Sequence, residues 1–545
     1  MGVSERDGYV NFSVAVKKGS TCILELYTKG SDEPAVRHAM AETGMMGEVR
    51  FLSLPKSQMK GMEYCYEIDG KSEVDPYATN IILADEVPAR SRVQSDTYDW
   101  EGDVPLQLPD DEVIAYSLHV RGFTRHKSSK VRHKGTFRGV VEKIPYLLDL
   151  GVNQIQCMPV YHFLESEQYK NYWGYGDAYC FAIKNQYASG KNPEREFKDM
   201  VKACHAAGIE VVLSMPFSQN TPKMMMVECL RYYRLEFHID GFILNPYLAP
   251  MDVITSDPFL KDTKILQNRD DFQFVMRRFL KGEENTVEGA IWWLKQLAKE
   301  SGSYNYITNH SGFTLQDLVS YNEKHNEENG ESNLDGPDYN CSCNYGAEGN
   351  TRKKHVLALR KRQVRNAFFL LLSAQGTPCI LAGDEFGNSQ KGNNNAYCQD
   401  NEIAWLDWRQ LEKEQDLYHY VRSLIAIRKA CPLLHAKTPL LGVDRTGCGV
   451  PDVSYHSEYA WHAPTSAMSK KVGVYYHDEN AQITDCFIAY NLSEDAQVFA
   501  LPNLLKGKKW YPVFTTAEGQ MNGLPEQREV TVDGRMIVMF EGRVE

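Results

Sequence analysis

At 545 residues the chain has room for about three domains of roughly 100–200 residues each. Lys plus Arg is 60 and Asp plus Glu is 72, a formal net charge of -12. That balance excludes the basic face of a nucleic-acid binder, and it leaves no general shortage of carboxylates. A hydrophobic fraction of 43% suits a globular protein. No apolar run approaches the roughly 20 residues of a membrane span. Thirteen cysteines, an odd number scattered from Cys22 to Cys486, fit a reducing compartment better than a disulfide framework. Residues Met1 to Asp7 lack the basic and apolar regions of a signal peptide, so the expected location is cytoplasmic.

The first hundred residues predict strands. Asn11–Val16 and Cys22–Tyr27 are β-rich runs separated by the turn signal Lys17-Lys18-Gly19-Ser20, and Glu63–Ile68 ends at the hairpin pair Asp69-Gly70. A polar stretch with prolines from Asp99 to Pro109 marks a boundary. From about residue 113 the pattern becomes strand then helix, repeated. A helix over Val141–Leu150 stopping at Gly151 precedes a strand over Gln154–Met158. Asn192 caps a helix that has Pro193 in its first turn, apolar positions at Phe197, Met200, Val201 and Cys204, and a stop at Gly208; Ile209–Leu213 follows as a buried strand. Some 320 residues of such units favour a (β/α)8 TIM barrel over a doubly wound sheet. Neither a GxGxxG after a strand nor a GxxxxGK[ST] supports nucleotide binding, and no cofactor or metal is expected. After about Pro432 short strands return, as in Val472–Tyr476 and Cys486–Tyr490. The expected layout is an α/β protein: an N-terminal β-sandwich (1–108), a barrel (109–431) and a C-terminal β-sandwich (432–545).

Several stretches together resemble one family. They are Gln375-Gly376-Thr377-Pro378, Ala382–Asn388 running on through Gln390–Asp400, Gly312–Tyr321, Lys324–Glu327, Asn329–Glu331, His119–Thr124, Gly135–Phe137, Tyr172–Tyr175 and Asp75–Ala78. The chain is similar to the isoamylase and glycogen-debranching (pullulanase-type) branch of glycoside hydrolase family 13, the α-amylase superfamily. The resemblance spans nearly the whole chain and implies the same three-part layout, with a starch-binding-type N-terminal domain.

The resemblance also implies retaining chemistry, which needs a carboxylate nucleophile and a carboxylic acid about 5–5.5 Å apart. These groups stand at the C-terminal ends of barrel strands. Position by position, this sequence departs from the pattern. Ser214 stands where the first signature has Asp, and Gln219 where it has His. In the second signature, with register fixed by Gly241-Phe242, Ile243 replaces the orienting Arg and Asn245 the nucleophile. Asn268 is the nearest equivalent of the general-acid Glu, and the long loop that normally follows is largely gone. Ser311, after His310, replaces the aspartate that stabilises the transition state.

An amide has no anionic form to attack an anomeric carbon and no dissociable proton to give, and general acid catalysis alone is worth ~10²–10⁴-fold. Pro246 has no N–H, which blocks the usual cyclisation that would deamidate Asn245. Asp240 lies five residues back along the strand, about 16 Å at 3.3 Å per residue, and cannot substitute. Replacing Arg by Ile at 243 is coherent once its anionic partner is gone.

His119, Tyr175 and His310 read either as a retained sugar subsite or as packing at the barrel mouth. The Gly387–Asp400 loop, with its three consecutive asparagines, reads as scaffold ahead of binding rim. Cys341-Ser342-Cys343 reads as core edge rather than metal site, Met224–Met226 as helix or core packing, and Trp292-Trp293 as a helical pair with one ring buried. The leading expectation is a catalytically degenerate homologue that binds α-glucan, such as glycogen or a maltooligosaccharide, or modulates an active isoamylase-type relative, for which the family supplies a precedent. Two alternatives stand beside it: an active α-1,6-glucan debranching glycosidase with unrecognised acids, and a scaffold with no carbohydrate role. Nucleic acid and membrane partners are not expected.

Overall fold

A computed structural model describes residues 1–41, 45–84, 87–93, 97–166, 170–297, 302, 304–505, 507–517 and 527–544. Its centre is a parallel sheet of six strands: β1 (Ala115–Leu118), β2 (Gln154–Cys157), β3 (Glu210–Ser214), β4 (Gly241–Leu244), β5 (Lys264–Gln267) and β6 (Cys379–Leu381), in the spatial order β5-β4-β3-β2-β1-β6. Gly302 and the segment 304–307 close the ring. Gln267 N–H on β5 donates to Gly302 O at 3.2 Å, and on the other side Asn305 N–H donates to Thr377 O and Cys379 N–H to Asn305 O, both at 2.7 Å.

The strand sequences explain the ring. Val211 and Leu213 of β3 face outward into the helical layer with Phe197, Met200 and Val201, whereas Val212 between them faces inward with Ala115, Ile243, Tyr304, Tyr306 and Cys379. β4 repeats the alternation: Phe242 and Leu244 pack outward and Ile243 inward. The barrel interior is thus a packed apolar layer rather than a channel. The helix Pro193–Ala206 forms as expected. Asn192 Oδ1 accepts Arg195 N–H at 3.0 Å, Pro193 sits in the first turn, and Phe197, Met200, Val201 and Cys204 are fully buried.

Two departures from expectation have physical causes. The single helix predicted over Val141–Leu150 is two, Phe137–Val141 capped by Thr136 and Ile144–Leu150 with Pro145 in its first turn. Pro145 lacks the N–H that a continuous helix would need there, so the chain breaks at Glu142-Lys143 and restarts. The barrel is of (β/α)8 type, but the chain passes from β5 through the helix Asp271–Lys281 directly to the helix Val287–Lys295, ahead of Gly302 and the 304–307 segment. Among the described residues, the position where an eight-unit pattern places a strand between those helices holds only the turn 282–286.

Antiparallel sheets flank the barrel. The described residues between 2 and 92 form two, sharing a core of Val10, Phe12, Val14, Leu24, Leu26, Tyr64 and Tyr66. Residues 453–543 form a five-stranded sheet and a two-stranded one around Tyr475, Phe487, Phe499, Trp510, Val532, Val538 and Phe540. Of the tryptophan pair, Trp293 is buried and Trp292 is half exposed.

Candidate functional site

The C-terminal ends of β3, β4 and β5 lie side by side. Ser214 pairs with Ile243, Ile243 with Leu266, and Leu244 with Gln267. Asn245 and Asn268 therefore each take the next step beyond one register pair, on neighbouring parallel strands. Ile243 is 8% exposed and belongs to the interior cluster of Tyr304, Tyr306 and Val212, with Leu266 packed against it. An apolar side chain thus fills the wall beneath Asn245.

Both amides are held by neutral partners. Asn245 Oδ1 accepts Tyr247 N–H at 3.0 Å, closing a turn at the strand end. Asn268 Oδ1 lies 2.8 Å from Tyr306 Oη, and the same hydroxyl lies 2.6 Å from Asp270 Oδ1. Asp270 is the residue that sequence reasoning missed here. It is an exposed carboxylate two positions past Asn268, brought to the mouth because the chain turns sharply from β5 into the next helix. Tyr247 is a second, 95% exposed beside Asn245; its proximity was readable, its exposure was not. Ser214 is half-buried, and Gln219 is exposed on the loop after β3. Among the described residues no hydrogen bond joins Gln219 to the others. Ser311 is exposed, its N–H donating to Asn309 Oδ1 at 3.1 Å.

The structure brings Tyr175 and His310 together, with Tyr175 Oη 2.6 Å from His310 Nε2 and the Trp173 ring edge-on to the imidazole at 5.0 Å. His119 is committed elsewhere. Its Nδ1 accepts Gly122 N–H at 3.0 Å, its Nε2 lies 2.8 Å from Tyr172 O and 3.1 Å from Tyr187 Oη, and its ring stacks on Tyr172 at 3.9 Å. With Nδ1 accepting, the proton is assigned to Nε2. Burial pushes both imidazoles down to about 4, so they are neutral at physiological pH. His119 and His310 line one cavity of about 50 Å³ with Met158 and Trp173, space for a water or two rather than a sugar ring.

The other acids near the motif stretches are structural in their contacts. Asp384 accepts from Thr308 Oγ1 and from Leu315 N–H at 2.9 Å; Asp317 accepts Ser389 Oγ at 2.5 Å and Gln390 N–H at 2.7 Å. Burial raises Asp384 to about 7 and Asp317 to about 6. Glu385 is fully buried between the hydroxyls of Tyr116 and Tyr146, at 2.7 and 2.5 Å. The triple-asparagine loop is likewise tied down. Asn394 Nδ2 donates to Asn340 Oδ1 at 3.0 Å and to Pro337 O at 2.8 Å, and Asn394 N–H donates to Asn326 Oδ1 at 2.9 Å.

The α-amylase catalytic-domain family model matches residues 120–219, the span from β1's end through β3. Isoamylase 1, chloroplastic, of Arabidopsis thaliana is 30% identical, with the similarity covering 95% of this chain and 84% of that protein. A glycogen debranching enzyme of Erwinia tasmaniensis is 34% identical over 63% of this chain and 66% of its own length. In three dimensions the chain is similar to a pullulanase from Paenibacillus barengoltzii in complex with maltohexaose and α-cyclodextrin. The TM-score is 0.77 at 19% identity, covering 100% of this chain and 95% of that one. Motifs, extended sequence similarity and barrel topology converge: the chain belongs to the isoamylase and glycogen-debranching branch of glycoside hydrolase family 13, the α-amylase superfamily, and has a pullulanase-type fold.

Proposed function

We propose that this chain is a catalytically degenerate debranching-type protein that engages α-glucan, or an active relative working on α-glucan, without cleaving it. The observation that carries the reading is the pair Asn245 and Asn268 on adjacent strand ends above an apolar Ile243. Retaining glycoside chemistry asks for two carboxyl groups about 5–5.5 Å apart at such a place. The hydrogen-bond network around Asn268 contains one carboxylate, Asp270, through Tyr306. One carboxylate can serve as an acid or as a nucleophile, but not as both at once. The buried acids Asp384, Glu385 and Asp317 are saturated by their own partners, which counts against their acting as substitutes. Restoring Asp at 245 alone recovers no activity, because the acid and the orienting Arg remain absent.

Glucan engagement is supported by the similarity to an isoamylase and a glycogen debranching enzyme and by the exposed ring of Tyr247 at the mouth. Tyr175 and His310, hydrogen-bonded to each other, are the proposed sugar-contacting pair; His119, with both nitrogens engaged by Gly122, Tyr172 and Tyr187, serves as packing. Affinity electrophoresis in gels containing glycogen or amylopectin tests the binding half. Retardation that weakens in Tyr247→Ala supports it, and unchanged mobility in both polysaccharides removes it, leaving the reading of a non-carbohydrate scaffold.

A further inference from the structure

Far from the barrel mouth in sequence, the loop Asp444-Arg445-Thr446-Gly447-Cys448-Gly449 leads into the C-terminal sheet. Asp444 organises it. One carboxylate oxygen accepts the N–H groups of Thr446, Gly447 and Cys448 at 3.1, 2.8 and 3.2 Å, and the other accepts Gly449 N–H at 2.7 Å. The loop is thereby fixed with Cys448 Sγ 3.5 Å from His477 Nε2. On the other side of the ring, His477 Nδ1 lies 2.8 Å from Asp485 Oδ1. Asp485 is fully buried and also accepts Tyr475 Oη, Thr484 Oγ1 and Lys508 Nζ, each at 2.6 Å. A carboxylate so held orients the imidazole with its Nδ1–H toward Asp485 and its Nε2 toward the sulfur.

Ten of the thirteen cysteines are buried; Cys343, Cys398 and Cys448 are half-exposed. Among the described residues, Cys448 is the one of those three with an imidazole within hydrogen-bonding distance. His477 also lines a cavity of about 390 Å³ between the C-terminal sheet and the Pro432–Leu440 segment, as do Thr446 and Val450, two residues to either side of Cys448. The Thr446 hydroxyl first, then the Val450 backbone and after it His477, hold the thiol below its ordinary range; burial lowers His477, and contact with Asp485 outweighs it and raises the imidazole. Asp444, 3.8 Å from the sulfur, opposes the thiolate, and Lys508 balances Asp485 behind the imidazole.

We propose that Cys448, His477 and Asp485 form a reactive-thiol site at which Cys448 is oxidised by peroxides. His477 takes the thiol proton. The thiolate attacks one oxygen of hydrogen peroxide, an S–O bond forms as the O–O bond breaks, and the departing hydroxide takes the proton from His477 to leave as water. Sulfur loses two electrons, the peroxide gains them, and the product is Cys448 sulfenic acid. Acyl transfer at the same thiol is disfavoured by the loop itself. The N–H groups of Thr446, Gly447, Cys448 and Gly449 all point to Asp444, so none is available to stabilise an oxyanion.

The test uses the full-length protein treated with sub-stoichiometric hydrogen peroxide, trapped with dimedone and read peptide by peptide in a mass spectrometer. Label on the Cys448 peptide should exceed that on Cys343 or Cys398 by about tenfold or more, and His477→Gln should remove that excess while the other two stay unchanged. Equal label on all three peptides overturns the proposal. If His477→Gln does not fold, the pH profile of iodoacetamide alkylation of the wild-type protein decides. A Cys448 rate that levels off below the ordinary thiol pKa of about 8.5 supports the site, and a rate still climbing past it, like that of a free peptide thiol, overturns it.

Discussion

Along β3 and β4 the two ends of the barrel hold opposite chemistry. At the N-terminal end, acids are present, buried and paired. Asp240 takes His205 Nε2 at 2.9 Å, Val211 N–H at 2.7 Å and Leu106 N–H at 2.8 Å, and Asp103 holds the other face of His205 at 3.0 Å together with His238 at 2.9 Å. Glu210 joins Lys264 and Gln154, each at 2.7 Å. At the C-terminal end, where barrel enzymes place their chemistry, the corresponding strands finish in Ser214, Asn245 and Asn268. Glu210 at the start of β3 and Asp240 just before β4 thus serve the fold at one end, while Ser214, Asn245 and Asn268 at the other are neutral. On the proposed reading the barrel gives up its reactive end and keeps its foundation, because the two are carried by different residues.

The largest expected effect comes from breaking the foundation. Asp240→Ala leaves His205 and two backbone N–H groups without their acceptor in a buried site, and should destabilise the fold by about 3–5 kcal/mol in urea unfolding. A loss below about 1 kcal/mol would mean that the N-terminal end is not the keystone. Glu210→Gln keeps a hydrogen-bond acceptor for Gln154 but leaves Lys264 without its buried partner, for an expected loss of about 1–3 kcal/mol by the same measurement.

The pH dependence of stability differs between the ends, and its sign follows from the direction of each shift. Burial holds His119 and His310 near 4, below an unfolded value of about 6.5. The unfolded chain therefore binds more protons between those values, and this contribution to stability falls as pH drops from about 6.5 to 4. His205 moves the other way. Although burial is the largest single influence and lowers it, Asp240 and Asp103 together raise it, so its contribution is full below about 6.5 and is lost as pH rises through the folded value. Replacing His310 by Gln should flatten the acid limb of a melting-temperature profile, and replacing His205 by Gln should flatten the limb on the alkaline side of 6.5. Identical profiles for the two variants would erase the contrast.

The smallest effect belongs to the mouth. Asn245→Ala and Asn268→Ala alter exposed strand ends and should change stability by no more than about 0.5 kcal/mol each. A loss of several kcal/mol would show that the amides were recruited to hold the fold.

How much of this was legible in the sequence depended on whether one residue could fix a register. Gly241-Phe242 did so for β4, and Ile243 and Asn245 could be named without coordinates. The cap at Asn192 and the apolar spacing that follows it likewise specified a helix on local grounds. The two-helix break at Glu142-Lys143 was signalled by Pro145 and outweighed by the surrounding apolar pattern. The closing residues, Gly302 and 304–307, carry no strand signal of their own: one hydrogen bond ties them to β5, and two through Asn305 tie them to the β6 side. The place of Asp270 and the exposure of Tyr247 emerged only in three dimensions, because both depend on how the chain leaves a strand end.

The most direct test of the central claim is the release of new reducing ends from amylopectin or glycogen by the purified protein, followed through successive purification steps with Asp270→Asn as the paired variant. No release above that of heat-inactivated protein is expected from either form. Turnover that tracks the wild-type protein through every step and disappears in Asp270→Asn would contradict it, and would make Asp270 part of a working site.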